Sequence, residues 1–92
     1  MTFIYPAVFT PHKDGRGYHA YFPDLDGCEA DGPDLEDTIE NAREAAYNWL
    51  CVELEEESPE FPMVSHEEDI PLAPGEEVRQ IMTVIRLLPD ND

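Results

Sequence analysis

Residues 17–50 read GYHAYFPDLDGCEADGPDLEDTIENAREAAYNWL, and this stretch decides the fold. Tyr18, Ala20 and Phe22 alternate with His19 and Tyr21, the period-two pattern of a strand over Tyr18–Phe22. PDLDG, Pro23 to Gly27, is turn chemistry. A short third strand, about Cys28 to Ala30, follows, and Asp31-Gly32-Pro33 is expected to stop it. The period then changes. Asp34 is a good N-cap, because its carboxylate accepts from the free N–H groups of a first helical turn. Glu36 and Asp37 suit the positive end of the helix dipole. Leu35, Ile39, Ala42, Ala46, Trp49 and Leu50 recur mostly three and four apart, an apolar stripe of helical period. The spacing predicts a helix from Leu35 to about Glu56.

On the N-terminal side, Phe3–Thr10 reads as a strand that is apolar on both faces. Phe3, Tyr5, Ala7 and Phe9 lie on one face, Ile4 and Val8 on the other. Such a strand is expected to be well buried. Pro6 argues for an edge position, because it cannot donate to a ladder. PHKDGRG then supplies a turn, so the first two strands form a hairpin. On the C-terminal side, Pro59, Pro62, Pro71 and Pro74 fall in a long irregular connection over residues 58–76. Glu77–Leu88 carries Val78, Ile81, Met82, Val84, Ile85, Leu87 and Leu88, and reads as a last strand buried on both faces. The expected fold is a single α+β domain over residues 1–92. Its order is β-β-β-α-β, with one small mixed sheet packed against one helix.

The chain has 92 residues, with 22 Asp+Glu against 5 Lys+Arg and a formal net charge of -17. A polyanion of this kind repels nucleic-acid phosphates and anionic headgroups, so direct nucleic-acid binding and membrane-surface binding are not expected. High charge also favours disorder, but 41% hydrophobic and 10% aromatic residues favour a folded acidic domain. No stretch approaches the ~18 apolar residues of a membrane helix. The opening MTFIYPAVFTPHKDG has no basic segment and its apolar run is broken by Pro6, so it does not read as a signal peptide. Cys28 and Cys51, 23 residues apart, make no CxxC and no zinc spacing. Two reduced thiols in a cytoplasmic protein is the reading; a single disulfide in an exported domain is the alternative.

Chemistry-bearing patterns are few. Asp24, Asp26, Glu29 and Asp31 suggest a metal loop, but the twelfth position counted from Asp24 is Leu35, which cannot supply the bidentate carboxylate of a calcium loop. A two-ion carboxylate nuclease needs acids from several elements. The first strand has none between Phe3 and Thr10, and the last has none between Val78 and Leu88. His12, His19 and His66 show no metal-ligand spacing and read as surface residues. Ser58 and Ser65 lie in no GxSxG, and no glycine-rich loop cradles a phosphate. No catalytic residue, metal or cofactor is expected. Glu36, Glu40 and Glu44 stack four apart on one side of the helix, where like charges repel, and Arg43 relieves part of that. ELEEE adds carboxylates at the negative end of the helix dipole. A basic partner would neutralise such a surface. The candidate partner-binding residues are therefore Asp24, Asp26, Glu29, Glu36, Glu40 and Glu44.

The string from Tyr5 to Leu50 closely resembles the HicB family, the antitoxins of HicA–HicB toxin–antitoxin pairs. The matching positions are Tyr5, Pro6, Ala7 and Val8 in the first strand; Gly17, Tyr18, Phe22, Pro23, Asp24, Leu25, Gly27 and Cys28 around the FPDLxGC segment; and Gly32, Glu44 and Ala45 at and in the helix. The match covers about residues 3–57. The resemblance implies a partial RNase H-like fold in β-β-β-α-β order, with the last strand parallel to the first and Pro6 in an interior strand. It implies a non-catalytic antitoxin that binds and neutralises a small, basic HicA-type mRNA-cleaving toxin.

The helix start, GPDLEDT, departs from the shorter G-D-T form of the family. Many members carry a C-terminal DNA-binding domain, and the chain ends directly after the last strand, so operator binding is not carried over. The alternatives are an orphan acidic interaction module, a residual metal-dependent hydrolase using Asp24, Asp26 and Glu29, and a DNA mimic with no dedicated toxin. One helix cannot cover both faces of a two-sided apolar sheet, so a homodimer or higher homo-oligomer is expected.

Overall fold

The computed structural model describes residues 1–86. β1 (Thr2–Pro11), β2 (Tyr18–Tyr21), β3 (Glu29–Gly32) and β4 (Glu77–Val84) form one sheet in the order β3-β2-β1-β4. The helix α1 (Leu35–Leu54) packs across one face of it. The α+β class and the β-β-β-α-β order are those of the sequence pattern. α1 begins at the expected residue because Asp34 caps it: the Asp37 N–H donates to Asp34 Oδ1 at 2.8 Å. Thr38 adds a hydroxyl bond to the Asp34 carbonyl at 2.6 Å. A Cβ on Gly32 would lie 2.5 Å from Thr38 Oγ1, so glycine there lets the first turn sit directly on β3. β3 runs on through Asp31 and Gly32, which are expected to stop it, and ends before Pro33.

The sheet is antiparallel throughout, not mixed, and β4 runs antiparallel to β1 rather than parallel. The connection explains the reversal. α1 carries the chain from the Gly32 end of the sheet toward the Thr2 end. The following segment then travels the full length back. Phe61 lies against Phe3, with ring centroids 4.8 Å apart, and Gly75 reaches Pro11 at the opposite end of β1. β4 therefore enters from the end where α1 began. A helix followed directly by a strand would have given the parallel crossover.

β1 is interior, so the edge position suggested by Pro6 is wrong. The register shows why proline is tolerated. β4 pairs with Thr2–Phe9, but β2 reaches only Val8–Pro11. Pro6 lies where β1 has a strand on one side only, and its missing N–H interrupts no β2 ladder. Tyr5–Phe9 is fully buried, as the two-faced apolar pattern requires. β4 is an edge strand, so it is buried on one face and not two. Ile81 and Thr83 are covered, whereas Gln80, Met82 and Val84 are exposed. Leu87 and Leu88, the expected end of this strand, lie outside the described residues.

The helix-side core joins Tyr5, Ala7 and Phe9 of β1 to Ala20, Phe22, Leu25, Cys28, Ile81 and Ile85 and to Ala42, Ala46 and Leu50 of α1. Val8 and Ile70 are buried outside this cluster, on the opposite side. Residues 66–76, including a short 3₁₀ turn at Glu67–Asp69, form a strap over that side. It is tied down by Gln80 Nε2 to Glu67 at 2.7 Å and by Thr10 Oγ1 to Glu76 at 2.6 Å. Among the described residues no helix is long and apolar enough to cross a membrane.

Candidate functional site

The fold separates the six acidic candidates. Asp24 is the half-buried one of the six. Both its oxygens are taken by Ser65, one by the backbone N–H at 2.8 Å and one by the hydroxyl. Its charge and burial together push the neighbouring Tyr5 phenol up, burial being the larger cause. Asp24 is thus a tether that fastens the returning segment to the β2–β3 turn. Asp26 stays exposed on that turn, which the Trp49 indole N–H holds against α1 through the Asp26 carbonyl at 2.9 Å. Glu29 points to the face of the sheet away from α1, where its carboxylate pairs with His19 Nε2 at 2.8 Å. Asp26 and Glu29 line one pocket beside His19, whereas Asp24 faces Ser65, and no group of three metal-ligating side chains forms among the described residues.

Glu36, Glu40 and Glu44 are brought together. All three are exposed on one side of α1. Arg43 pairs with Glu40, leaving Glu36 and Glu44 without a basic partner among the described residues. An open cleft of about 310 Å³ runs between this side of α1 and the end of β4, lined by Glu40, Arg43, Glu44, Tyr47, Thr83 and Val84. Its walls combine two carboxylates with a phenol ring and a valine, a setting for a long cationic side chain with an apolar stem.

The sequence reading missed two clusters. Ser65 gave no signal of its own, because one serine in a proline-rich stretch matches no motif. The second is a ladder on the strap side of the sheet. His12 Nε2 lies 2.9 Å from Asp31 Oδ1, and His19 Nδ1 lies 3.3 Å from Asp31 Oδ2. His12 Nδ1 also faces the Arg16 carbonyl at 2.8 Å, so both its ring nitrogens meet acceptors. Hydrogen bonding to Asp31 and then to that carbonyl raises the His12 pKa, and His12 in turn lowers that of Asp31. The histidines are surface residues, as expected, but two of the three are paired. Cys28 and Cys51 are free thiols, and burial pushes Cys28 up to about 11, far from a reactive thiolate at neutral pH.

Comparison with solved structures finds the same fold elsewhere. The N-terminal domain of the Burkholderia pseudomallei antitoxin HicB superposes with a TM-score of 0.68 at 27% identity, over 92% of this chain and 100% of that one. A chain of a toxin–antitoxin complex from Streptococcus pneumoniae superposes with a TM-score of 0.66 at 20% identity, over 91% of this chain and 70% of that one. No curated protein matches. The family model described as HicB_like antitoxin of bacterial toxin-antitoxin system matches residues 5–86. That span takes in every strand pairing partner from Tyr5 onward, the helix and the strap, and the chain belongs to the HicB-like antitoxins of bacterial toxin–antitoxin systems.

Proposed function

We propose that this protein is a non-catalytic antitoxin that binds a small, basic, HicA-type mRNA-cleaving toxin and covers its RNA-binding surface. The observation that carries this reading is the exposed row Glu36, Glu40 and Glu44 beside the α1–β4 cleft, on a chain of net charge -17. A surface built to hold RNA phosphates is cationic. A row of carboxylates about 6 Å apart competes for those same cations. The opposite net charges speed encounter and select the partner, while the cleft supplies shape. Asp26 extends the acidic surface at the β2–β3 turn, and Glu29 plays no part in the helix-side contact. The cytoplasm, where mRNA is cleaved, is the compartment this role requires, and two free thiols fit it.

The test is co-expression with the adjacent small basic open reading frame, followed by association kinetics on the purified pair. Replacing Glu36, Glu40 and Glu44 together by Gln should slow association by about tenfold or more at low salt and flatten its salt dependence, with little change in stability. Failure of the neighbouring product to bind or be neutralised sinks the antitoxin reading. Unchanged association in the triple variant keeps the antitoxin and sinks the site.

A further inference from the structure

We propose that the cleft between α1 and β4 is a receptor for a single arginine side chain of the basic partner. The guanidinium lies on the Tyr47 ring and pairs with Glu44, and the apolar stem runs along Val84. The assignment rests on the antitoxin reading and adds to it the residue type that this helix face selects.

Four features of the cleft set this chemistry. The first is charge. Of the two carboxylates in its walls, Glu40 is held by Arg43, and Glu44 has no basic partner among the described residues. One negative charge is left over, so the cleft takes one cation and not two. The second is Tyr47, a ring left nearly half exposed at the end of the acidic row. Its hydroxyl meets the Cys51 thiol one turn further along α1, which leaves the ring for the cleft. Glu44 and Tyr47 are three apart and therefore neighbours on one side of the helix. The third is the opposite wall, where Val84 is half exposed and Thr83 only 2% exposed. That wall gives an alkyl stem an apolar surface to lie on. The fourth is access: the cleft is open and holds about 310 Å³, so a long side chain enters from outside.

These features separate arginine from lysine. A guanidinium is planar and weakly hydrated. It stacks on an aromatic face and at the same time presents two parallel N–H groups to one carboxylate. Glu44 and Tyr47 offer both contacts to one plane. A further N–H is then left for the Thr83 hydroxyl, which has lone pairs to accept it. An ammonium is compact and strongly hydrated, and it gives up more water beside Val84 for a single point contact. Arg43 does not fill the place itself, because Glu40, three residues back, holds it. Its charge at the rim repels a second cation, so further basic groups of the partner fall on Glu36, outside the cleft.

Nuclear magnetic resonance on the isolated, isotope-labelled chain decides, with N-acetyl-arginine amide and N-acetyl-lysine amide as probes of equal charge. The arginine probe should saturate in the millimolar range, shift the Tyr47 ring and the amides of Thr83 and Val84, and bind at least about threefold tighter than the lysine probe. Tyr47→Phe keeps the ring and should keep that preference. Tyr47→Leu and Glu44→Gln, both at exposed positions, should each abolish it with an unchanged circular dichroism spectrum. Glu56→Gln, an equal loss of charge at an exposed residue away from the cleft, should leave it intact. An equal response to the two probes overturns the proposal. So do shifts spread over the whole acidic surface, or a preference that survives Tyr47→Leu. The antitoxin reading stands or falls separately: toxin neutralisation by a chain with no arginine preference keeps that reading and overturns this one.

Discussion

The two faces of the sheet are finished by different means. On the α1 side, one continuous helix lays Ala42, Ala46 and Leu50 onto Tyr5, Ala7 and Phe9, and the result is a dry core with every member nearly inaccessible. On the other side an irregular strap covers Val8 with few apolar residues and many tethers, and leaves Ile4, Met82 and Val84 bare. The first face is held by area removed from water, which is non-directional and scales with the apolar surface buried. The second is held by individual hydrogen bonds and ion pairs, each worth little and each sensitive to its own chemistry. Stability should therefore be concentrated on one face, with adjustable contacts concentrated on the other.

Opposed substitutions break that comparison most directly. Leu50→Ala, at a site with no solvent exposure, should cost about 2–5 kcal/mol, since it removes buried methyls and leaves a void against β1. Met82→Ser should stay within about 0.5 kcal/mol when both are measured by urea denaturation at low protein concentration. Comparable losses would mean that the bare corner is part of the folding core after all. An intermediate effect is expected at the tether. Asp24→Ala leaves the Ser65 N–H and hydroxyl without their acceptor and should cost about 1–3 kcal/mol. Its hydrogen-exchange signature should be faster exchange in residues 62–76 with α1 unaffected. Uniform acceleration across both faces would show that the strap is not a separate unit.

These expectations also mark how far the sequence could be read. The helix-side core was legible, because a period of 3.6 in Leu35–Leu50 and a period of two in Phe3–Phe9 name the faces that must meet. The strap was not legible, because tethers such as Asp24–Ser65 join residues 41 apart through one hydrogen bond and leave no periodic trace. The parallel sense of β4 was implied by the family resemblance and not by the pattern, and it is overturned: an apolar run specifies burial, not direction, and direction is set by a return path that carries no pattern. The same gap explains the candidate site. Spacing four apart placed Glu36, Glu40 and Glu44 together correctly, but nothing local distinguished an acid turned inward, Asp24, from an acid left outward, Asp26.

The smallest expected effect isolates the electrostatic character of the strap-side face. His12 has acceptors on both ring nitrogens, so its pairing with Asp31 requires the imidazolium. Its pKa lies above the ordinary 6.5, so the stability it contributes is complete below 6.5 and is lost as pH rises through the raised value. Asp31 lies below its ordinary 3.8, so its contribution is present above 3.8 and is lost as pH falls through the lowered value. The clamp is strongest between those limits. Both groups are exposed, so the effect is small in energy and is best read as a difference. The gap in urea midpoint between wild type and His12→Gln should shrink on going from about pH 5.5 to about pH 8.5. A gap that stays constant for His12 would mean that shape rather than charge holds this corner, and the two faces would then differ in extent but not in kind.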